Sequence, residues 1–312
     1  MTSSPAADLA SVLAGRFERE VCDILARFAD ASAELRDALA TAPLSNLLGA
    51  TGDVNVQGES TQKLDDRANE IFKAALSLSS VARLISEEED EPIEVGDGRY
   101  TLGFDPLDGS SNIGFASVGS VLGVYDGVAR NSFDAGGMTG RSLVAAAFTV
   151  YGLPTMLIVA SREQVSSFAF DPSDRSWRVA AERITVPKAT YTSINWTYHS
   201  RWSPSVVGGV EAASDGLRGR YSGSMVEDIL RVLLAGGVFM YPEDSSSPNG
   251  KLRMLYEVCP IGFVMEAAGG AASTGTQPVL DVAVTSPHQR SPFVAGATDA
   301  VGRYIAGYGS AR

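Results

Sequence analysis

Residues 100–112, YTLGFDPLDGSSN, join an apolar strand pattern to a turn of small hydroxyl-bearing residues. The pattern predicts a strand that ends at Asp105, because Pro106 has no N–H group with which to continue a strand ladder. The chain must then turn, so that Asp105 and Asp108 can point into one site. The turn at 109–111 offers backbone N–H groups and hydroxyls to an anion. This segment therefore predicts carboxylates beside a phosphate cradle where a strand ends.

A second acidic run, LISEEEDE at residues 84–91, follows another short apolar pattern. Close carboxylates that nothing neutralises repel one another and take up protons, so we expect a cation beside these acids. Carboxylate oxygens suit Mg²⁺ or Mn²⁺, and Mg²⁺ often completes its shell with phosphate oxygens and water. Taken singly, each motif could be an acidic loop or a solvated charge run. Together they favour a divalent-metal site that binds phosphate.

Composition sets the class of protein and excludes several partners. The chain has 312 residues, 45% of them hydrophobic, which is enough to bury a large core. Its formal net charge of −12 argues against a nucleic-acid surface, because such surfaces cluster Lys and Arg. No apolar run is long enough to span a bilayer, and the first ten residues lack the pattern of a secretory signal. We therefore expect a cytoplasmic protein, or an organelle-lumen protein whose transit peptide has been removed.

The periodicity of apolar residues changes along the chain. Residues 9–28 repeat at helical spacing, and a second helix is predicted from about Asp65 to Leu76. Between residues 81 and 170, short apolar runs separated by Gly, Pro, Asn and Asp predict strands. Beyond residue 204, helical and strand patterns alternate, and LRMLYEVCPIGFVMEAAGG at 252–270 reads as one long apolar helix. The alternation favours layered α/β packing, with a division near residue 190.

Four longer motifs carry a resemblance to a known family. They are LISEEEDE, YTLGFDPLDGSSNI, the run RYSGSMVEDILRVLLAGGVFMYPEDSSSPNGKLRMLYE at 220–257, and HQRSP at 288–292. Together they resemble the class I fructose-1,6-bisphosphatase family, which also contains sedoheptulose-1,7-bisphosphatases. The resemblance implies a layered α/β/α/β/α fold, with an N-terminal metal-site domain at 1–190 and a C-terminal sugar-phosphate-binding domain at 191–312. It also implies a homo-oligomer, a dimer or tetramer, that hydrolyses the 1-phosphate of a ketose bisphosphate with two to three Mg²⁺ ions per site.

The resemblance also implies roles for individual residues. The metal ligands would be Glu87, Glu88, Asp105, Asp108, Glu257 and the backbone carbonyl of Leu107. Asp65 would help Glu88 to activate water, and Glu59, where the family has aspartate, would lie in a loop that closes over the metals. The substrate-binding residues would be Gly109, Ser110, Ser111, Asn112 and Arg253 near the 1-phosphate, and Asn195, Tyr198, Tyr221, Tyr241 and Lys251 near the distal phosphate. Arg220 would reach the distal phosphate of a neighbouring subunit.

Two departures from the family pattern bear on regulation and substrate choice. Asp126 stands where animal enzymes of the family have an arginine for AMP, and only Arg99 and Tyr100 remain of that site, so we expect no inhibition by AMP. Residues 195–198 read NWTY where fructose bisphosphatases usually have Asn-Glu-Gly-Tyr. Both changes favour sedoheptulose 1,7-bisphosphate slightly, whereas the intact run YPEDSSSPNGKLR at 241–253 is more like the fructose enzymes. Fructose 1,6-bisphosphate is therefore the near alternative.

Other interpretations stay open at the level of sequence. Without the resemblance, Tyr221 and Tyr241 could be core aromatics, and Arg220 and Arg253 could form surface ion pairs. An inositol-monophosphatase-like enzyme would have no obvious use for a second phosphate pocket, and a catalytically lapsed metabolite-binding protein would not need the complete set of acids. The histidines His199 and His288 are predicted to be structural or surface residues rather than catalysts.

Overall fold

The structure is a computed structural model that describes residues 8–42, 44, 50–54, 60–127 and 138–310. These residues form the α-helices α1 Leu9–Ala14, α2 Arg19–Thr41, α3 Lys63–Leu76, α4 Pro204–Ser214, α5 Met225–Ala235, α6 Cys259–Ala267 and α7 Thr298–Ser310. Within the described ranges, none of these helices combines the length and apolar character that crossing a bilayer requires.

The strands form two large sheets and two small ribbons. Their bounds are β1 Ala50–Val54, β2 Ser60–Gln62, β3 Val81–Ser86, β4 Ile93–Glu94, β5 Tyr100–Asp108, β6 Gly119–Asp126, β7 Leu143–Tyr151, β8 Thr155–Ala160, β9 Val165–Asp171, β10 Ser176–Ile184, β11 Tyr191–Ser193, β12 Arg218–Gly219, β13 Gly237–Tyr241, β14 Leu252–Arg253, β15 Ala271–Ser273, β16 Arg290–Ser291 and β17 Phe293–Gly296. The eight-stranded sheet has the order β10-β9-β8-β7-β6-β5-β3-β4, and the five-stranded sheet has the order β12-β11-β13-β17-β15.

Alternation of side chains along the strands creates one apolar core on each side of each sheet. Leu122 of β6 faces the core formed with α1, α2 and α3, whereas its neighbour Val121 faces the core formed with α5 and α6. Phe239 of β13 reaches that same central core from the smaller sheet, and its neighbour Val238 packs with α4 and α7. The result is five layers in the order α/β/α/β/α, which confirms the expected fold class.

The middle helical layer packs against both sheets. The larger sheet ends at Ile184 and the smaller begins at Tyr191, so the predicted division near residue 190 falls between them. Because α5 and α6 share one core with strands of both sheets, contacts within that core cross the division. The two-domain boundary stays a prediction.

Two predicted elements differ from the structure at positions that matter for the site. The strand expected to end at Asp105 continues to Asp108, with an irregularity in its pairing with β6. The long helix expected over 252–270 is instead the short strand β14, a π-helical turn at Met254–Val258 and then α6. The opening helix is also divided, into α1 and α2.

Candidate active site

A cavity of about 380 Å³ lies where β3, β5, the π turn and the N-terminus of α5 meet. The lining residues are Asp65, Glu87, Glu88, Asp105, Leu107, Asp108, Gly109, Ser110, Ser111, Tyr221, Gly223, Met225, Phe239, Tyr241, Lys251, Leu252, Arg253 and Glu257. The structure thus brings together most of the residues that the sequence suggested for the site. Glu59 lies outside the described residues.

A bulge in β5 places two aspartates on the same side of the sheet. Asp105 pairs with Val121 and Asp108 with Gly119, so three residue steps on β5 are matched by two on β6. In a regular strand, residues three apart point to opposite faces, and the extra residue of a bulge restores a common direction. Pro106 therefore marks a bulge within the strand rather than its end, which corrects the sequence prediction.

The π turn brings a third carboxylate, Glu257, to the same place. One ligand oxygen each from Asp105, Asp108 and Glu257 lie within 4.8 Å of one another, and all three residues are buried. The π turn lies directly on β5 because Gly103 has no side chain: a Cβ there would be 2.5 Å from the carbonyl oxygen of Leu255. Tyr125 donates a hydrogen bond of 2.8 Å to the same carbonyl. A π turn inside a helical run is a common feature of functional sites.

Burial makes these carboxylates hard to ionise. Burial, followed by the nearby charge of Glu87, raises the pKa of Asp105 well above its usual value. Burial raises the pKa of Asp108 to about 7, although the backbone N–H of Val226, at the start of α5, partly opposes the shift through a 3.1 Å hydrogen bond. Burial and Glu87 raise the pKa of Glu257 to about 8. Such shifts are typical of acids that need a cation beside them.

Arg253 supplies part of the positive charge from within the chain. Its guanidinium is buried and lies 3.1 Å from Glu87 Oε1 and 3.9 Å from Glu257 Oε2. Its backbone N–H also donates a 2.6 Å hydrogen bond to Glu257 Oε2. The sequence interpretation of Arg253 as a surface ion pair is therefore wrong, since the ion pair is in the cavity wall.

The turn that carries Glu87 and Glu88 is held by side chains that sequence reasoning did not single out. The Ser86 hydroxyl donates to Asn69 Oδ1 at 2.8 Å and accepts from the backbone N–H of Glu88 at 3.3 Å. Asn69 in turn donates to Glu89 at 2.9 Å, and Glu89 also pairs with Lys73. The third glutamate of the SEEED run is thus a structural partner of α3. Asp65, in the first turn of α3, is buried and lines the cavity.

The segment after Asp108 forms the turn expected to receive a phosphate. Gly109 adopts a left-handed conformation, φ +76°, and a short 3₁₀ turn follows at Ser110–Asn112. Asn112 does not line the cavity; its side-chain amide donates to the carbonyls of Gly109 and Gly223, at 3.2 and 3.0 Å. Asn112 therefore joins this turn to the loop before α5, and its contact with substrate stays a prediction.

The residues expected around the distal phosphate divide into two groups. Tyr221, Tyr241 and Lys251 line the cavity, whereas Asn195, Tyr198 and Arg220 do not. Tyr198 packs against Tyr241, with ring centroids 6.5 Å apart. Burial raises the pKa of Tyr221, and a hydrogen bond with Asn195 partly opposes that shift. Tyr198 and Asn195 thus each contact a residue that lines the cavity.

Arg220 is exposed and donates to the carbonyl of Gly219. Trp196 and Thr197 also lie outside the cavity lining: Trp196 packs on Trp202 and His199, and Thr197 donates to Asn195. The sequence change NWTY is therefore not a change in the cavity wall itself.

Four lining residues were not anticipated: Gly223, Met225, Phe239 and Leu252. All lie in the 220–257 segment that carried the resemblance, so their place in the motif was the available signal. The donor set of Asp105, Asp108 and Glu257 fits a divalent cation, because its carboxylate oxygens converge in one buried place.

Comparison with known proteins supports one family over the length of the chain. Residues 13–182 match the family model described as "Fructose-1-6-bisphosphatase, N-terminal domain", and residues 185–308 match the corresponding C-terminal domain. Class 1 fructose-1,6-bisphosphatase of Trichormus variabilis is 40% identical over 277 residues, covering 83% of this chain and 78% of that protein. Fructose-1,6-bisphosphatase isozyme 2 of Mus musculus is 37% identical over 300 residues, covering 92% and 88%.

A solved structure agrees with the sequence comparison. The holo form of Leishmania major fructose-1,6-bisphosphatase superposes with a TM-score of 0.92 at 32% identity, covering 98% of this chain and all of that one. The matches span both sheets and the cavity between them. This chain belongs to the fructose-1,6-bisphosphatase family, whose members are phosphoric monoester hydrolases.

Proposed function

We propose that this protein hydrolyses the 1-phosphate of fructose 1,6-bisphosphate in the cavity described above. The observation that carries the proposal is the pairing, in one cavity, of a buried carboxylate cluster beside the 109–111 turn with a cationic and hydroxyl-bearing wall formed by Lys251, Tyr221 and Tyr241. A cluster of acids alone would suit a phosphate monoester of any kind. The second wall offers groups that suit a second phosphate.

The carboxylates would hold Mg²⁺, or Mn²⁺, with two to three ions per site. The proposed ligands are Glu87, Glu88, Asp105, Asp108, Glu257 and the carbonyl of Leu107. When bound, such ions supply neutralisation of phosphate charge and polarisation of the attacking water. The raised pKa values of Asp105, Asp108 and Glu257 support this assignment. A bound cation would offset both the cost of burying ionised carboxylates and the repulsion between them.

The chain's own residues would orient the reactants and move the proton. Glu88 and Asp65 lie in the same wall, where they would accept a proton from the water that attacks phosphorus. Backbone N–H groups of Gly109 and Ser110, with the Ser110 hydroxyl, would bind the phosphate oxygens, and Arg253 would add a fixed positive charge. The bond between phosphorus and the oxygen on C1 then breaks, and the products are inorganic phosphate and the sugar monophosphate. The resemblance implies that Glu59 would lie in a loop that closes over the metals.

The choice between the two ketose bisphosphates depends on the distal wall. Within the sugar pocket, the argument for sedoheptulose 1,7-bisphosphate depends on Trp196 and Thr197, and neither lines the cavity. Tyr241 and Lys251, which do line it, belong to the YPEDSSSPNGKLR run that resembles the fructose enzymes. We therefore favour fructose 1,6-bisphosphate and keep sedoheptulose 1,7-bisphosphate as the alternative substrate.

We also propose that the protein is a homo-oligomer. Arg220 lies outside its own cavity, exposed and stacked over Tyr191 at 5.8 Å, which is consistent with a role at a neighbouring subunit. Phe115 and Leu153 are fully exposed and line one surface groove, as expected of residues that a second copy covers. Sedimentation velocity of the active protein should show a dimer or tetramer, and a fully active monomer would contradict this. A cytoplasmic or organelle-lumen location stays a prediction from the sequence.

Side-by-side kinetics on the two bisphosphates test the substrate assignment. We expect kcat/KM for fructose 1,6-bisphosphate to equal or exceed that for sedoheptulose 1,7-bisphosphate. The variant Lys251→Ala should raise KM for both, whereas Trp196→Glu with Thr197→Gly should change the ratio little. A preference of about 10-fold for the seven-carbon substrate, or about 1.4 kcal/mol, would instead support the alternative. Absence of phosphate release from either would point to a lapsed enzyme.

A further inference from the structure

His288 connects two parts of the cavity wall from behind. It is the first residue of the HQRSP motif at 288–292, to which the proposed chemistry gives no role. Its Nδ1 lies 2.9 Å from the hydroxyl oxygen of Tyr256, and its Nε2 lies 3.1 Å from the carbonyl oxygen of Asp90. Tyr256 precedes Glu257 in the π turn, and Asp90 belongs to the acidic run that contains Glu87 and Glu88.

A single neutral form of the imidazole satisfies both contacts. A carbonyl oxygen can only accept, so Nε2 must donate its hydrogen to Asp90. In the neutral ring Nδ1 then carries a lone pair, which accepts the hydrogen of the Tyr256 hydroxyl. The rings of Tyr256 and His288 also meet edge to face, with centroids 5.9 Å apart and an interplanar angle of 66°. His288 is therefore fixed in orientation as well as in place.

The backbone around His288 is tied to the same π turn. The carbonyl of Gln289 accepts from the N–H of Met254 at 2.8 Å, and β16, at Arg290–Ser291, pairs with β14, which carries Arg253. The acidic turn comes from β3 instead, which belongs to the larger sheet. His288 thus lies beside the π turn that holds Glu257 and reaches across to the acidic turn that carries Glu87.

We propose that His288 is a positioning residue that sets the spacing between Glu87 and Glu257, and through it the affinity of the cavity for divalent cations. The inference rests on the proposed function, because it assumes that these two acids act on the same ions. Side chains that orient metal ligands without touching the metal commonly change metal affinity by about 10- to 100-fold when removed. A merely structural histidine would change the melting temperature and leave that affinity unaltered.

The test measures binding of Mn²⁺ to the substrate-free protein by electron paramagnetic resonance of the unbound ion. His288→Ala should raise the dissociation constant by about 10-fold or more. His288→Gln, which retains a donor that can reach Asp90, should recover part of this loss. The matched control is His199→Ala, because His199 packs with Trp196 and Trp202 outside the cavity and should leave Mn²⁺ affinity unchanged.

A second variant keeps the inference testable if His288→Ala does not fold. Tyr256→Phe removes one hydroxyl and retains the ring, and it should weaken Mn²⁺ binding in the same direction. The double variant of Tyr256→Phe with His288→Gln should raise the Mn²⁺ dissociation constant by no more than the product of the two single fold-changes. Mn²⁺ affinities of the His288 and Tyr256 variants within 2-fold of the wild type would overturn the inference while the proposed function stands. A wild type that neither binds Mn²⁺ nor releases phosphate would overturn both.

Discussion

Burial and neighbouring negative charges together disfavour the ionised form of single acids in the cavity. Asp105 is 2% exposed and lies near Glu87, Asp108 and Glu257, which all disfavour its ionised form. The buried guanidinium of Arg253 opposes this repulsion, at 3.1 Å from Glu87 and 3.9 Å from Glu257. The proposed cations would neutralise the carboxylates further.

Asp105→Asn should abolish turnover without loss of folding. The amide has nearly the same shape as the carboxylate but cannot act as an anionic ligand, and it also removes a repulsive charge. Activity should fall by more than about 10-fold, equivalent to about 1.4 kcal/mol, while the metal-free melting temperature stays equal or rises. The control Asp171→Asn alters a partly exposed acid at the end of β9, away from the cavity, and should retain activity. If Asp105→Asn keeps more than a tenth of wild-type activity, its assignment as a metal ligand is wrong.

AMP should not inhibit this protein. Both oxygens of Asp126 accept from Arg99, at 2.6 Å each, and Arg99 also donates to Glu18 at 2.9 Å. Arg99, which the resemblance alone relates to a nucleotide site, is therefore held by acids, and Asp126 would repel a nucleotide phosphate. An AMP titration at saturating Mg²⁺ should leave the rate unchanged. Cooperative inhibition at micromolar AMP would show that a nucleotide site exists elsewhere.

At the level of elements, the close contact between β5 and the π turn positions Glu257. Gly103→Ala would place a Cβ 2.5 Å from the Leu255 carbonyl, where the backbone must shift. Overpacking of this kind costs about 1–3 kcal/mol, and the displaced π turn should lower activity as well. Chemical denaturation and phosphate release would measure the two effects.

Gly302→Ala in α7 is the matched control, since a Cβ there meets nothing within 4 Å and alanine favours helix. We expect it to leave stability equal or increased and activity unchanged. Equal behaviour of the two glycine variants would contradict the role of the contact.

The same elements show what sequence patterns can predict. The strands β3, β5 to β9 and β13 were predicted because their apolar runs are bounded by turn residues. The π turn was missed, since an apolar run such as MLYEV carries no mark of one extra residue per turn. The bulge was not predicted, because a proline is compatible both with the end of a strand and with a bulge inside one, and sequence does not separate the two. Strand β10 is mixed in burial and charged, so it lacked the apolar pattern.

The candidate site was easier to predict in its acids than in its supports. Acids and the GSS turn are adjacent in sequence to a strand, whereas His288, Asn69 and Arg253 reach the site only through tertiary packing. No local pattern encodes such contacts. The resemblance named Arg253 for the 1-phosphate, and only the structure gives its pairing with Glu87.

For the whole molecule, the raised pKa values predict a pH-dependent stability in the absence of metal. The folded state retains protons on Asp105, Asp108 and Glu257 that the unfolded chain releases near pH 4. Their contribution is therefore complete at low pH and is lost as pH rises through about 7 for Asp108 and about 8 for Glu257. The free energy of unfolding without metal should therefore fall as pH rises from about 4 to about 8.

Metal should reverse this trend, because cations bind the ionised carboxylates. The stabilisation produced by Mn²⁺ in thermal melts should thus increase over the same pH range. Glu257→Gln should flatten the metal-free pH dependence, since it removes one of the titrating groups. A metal-free stability that rises with pH would contradict the burial of these acids.

The most direct test of the proposed function follows the fate of each phosphate by ³¹P nuclear magnetic resonance. With Mg²⁺ and fructose 1,6-bisphosphate, the wild type should convert the 1-phosphate signal into an equal amount of inorganic phosphate and leave the 6-phosphate signal intact. Chelation of the metal, or Asp105→Asn, should stop the conversion. Loss of the 6-phosphate, no release at all, or undiminished release by Asp105→Asn would contradict hydrolysis of the 1-phosphate at this carboxylate cluster.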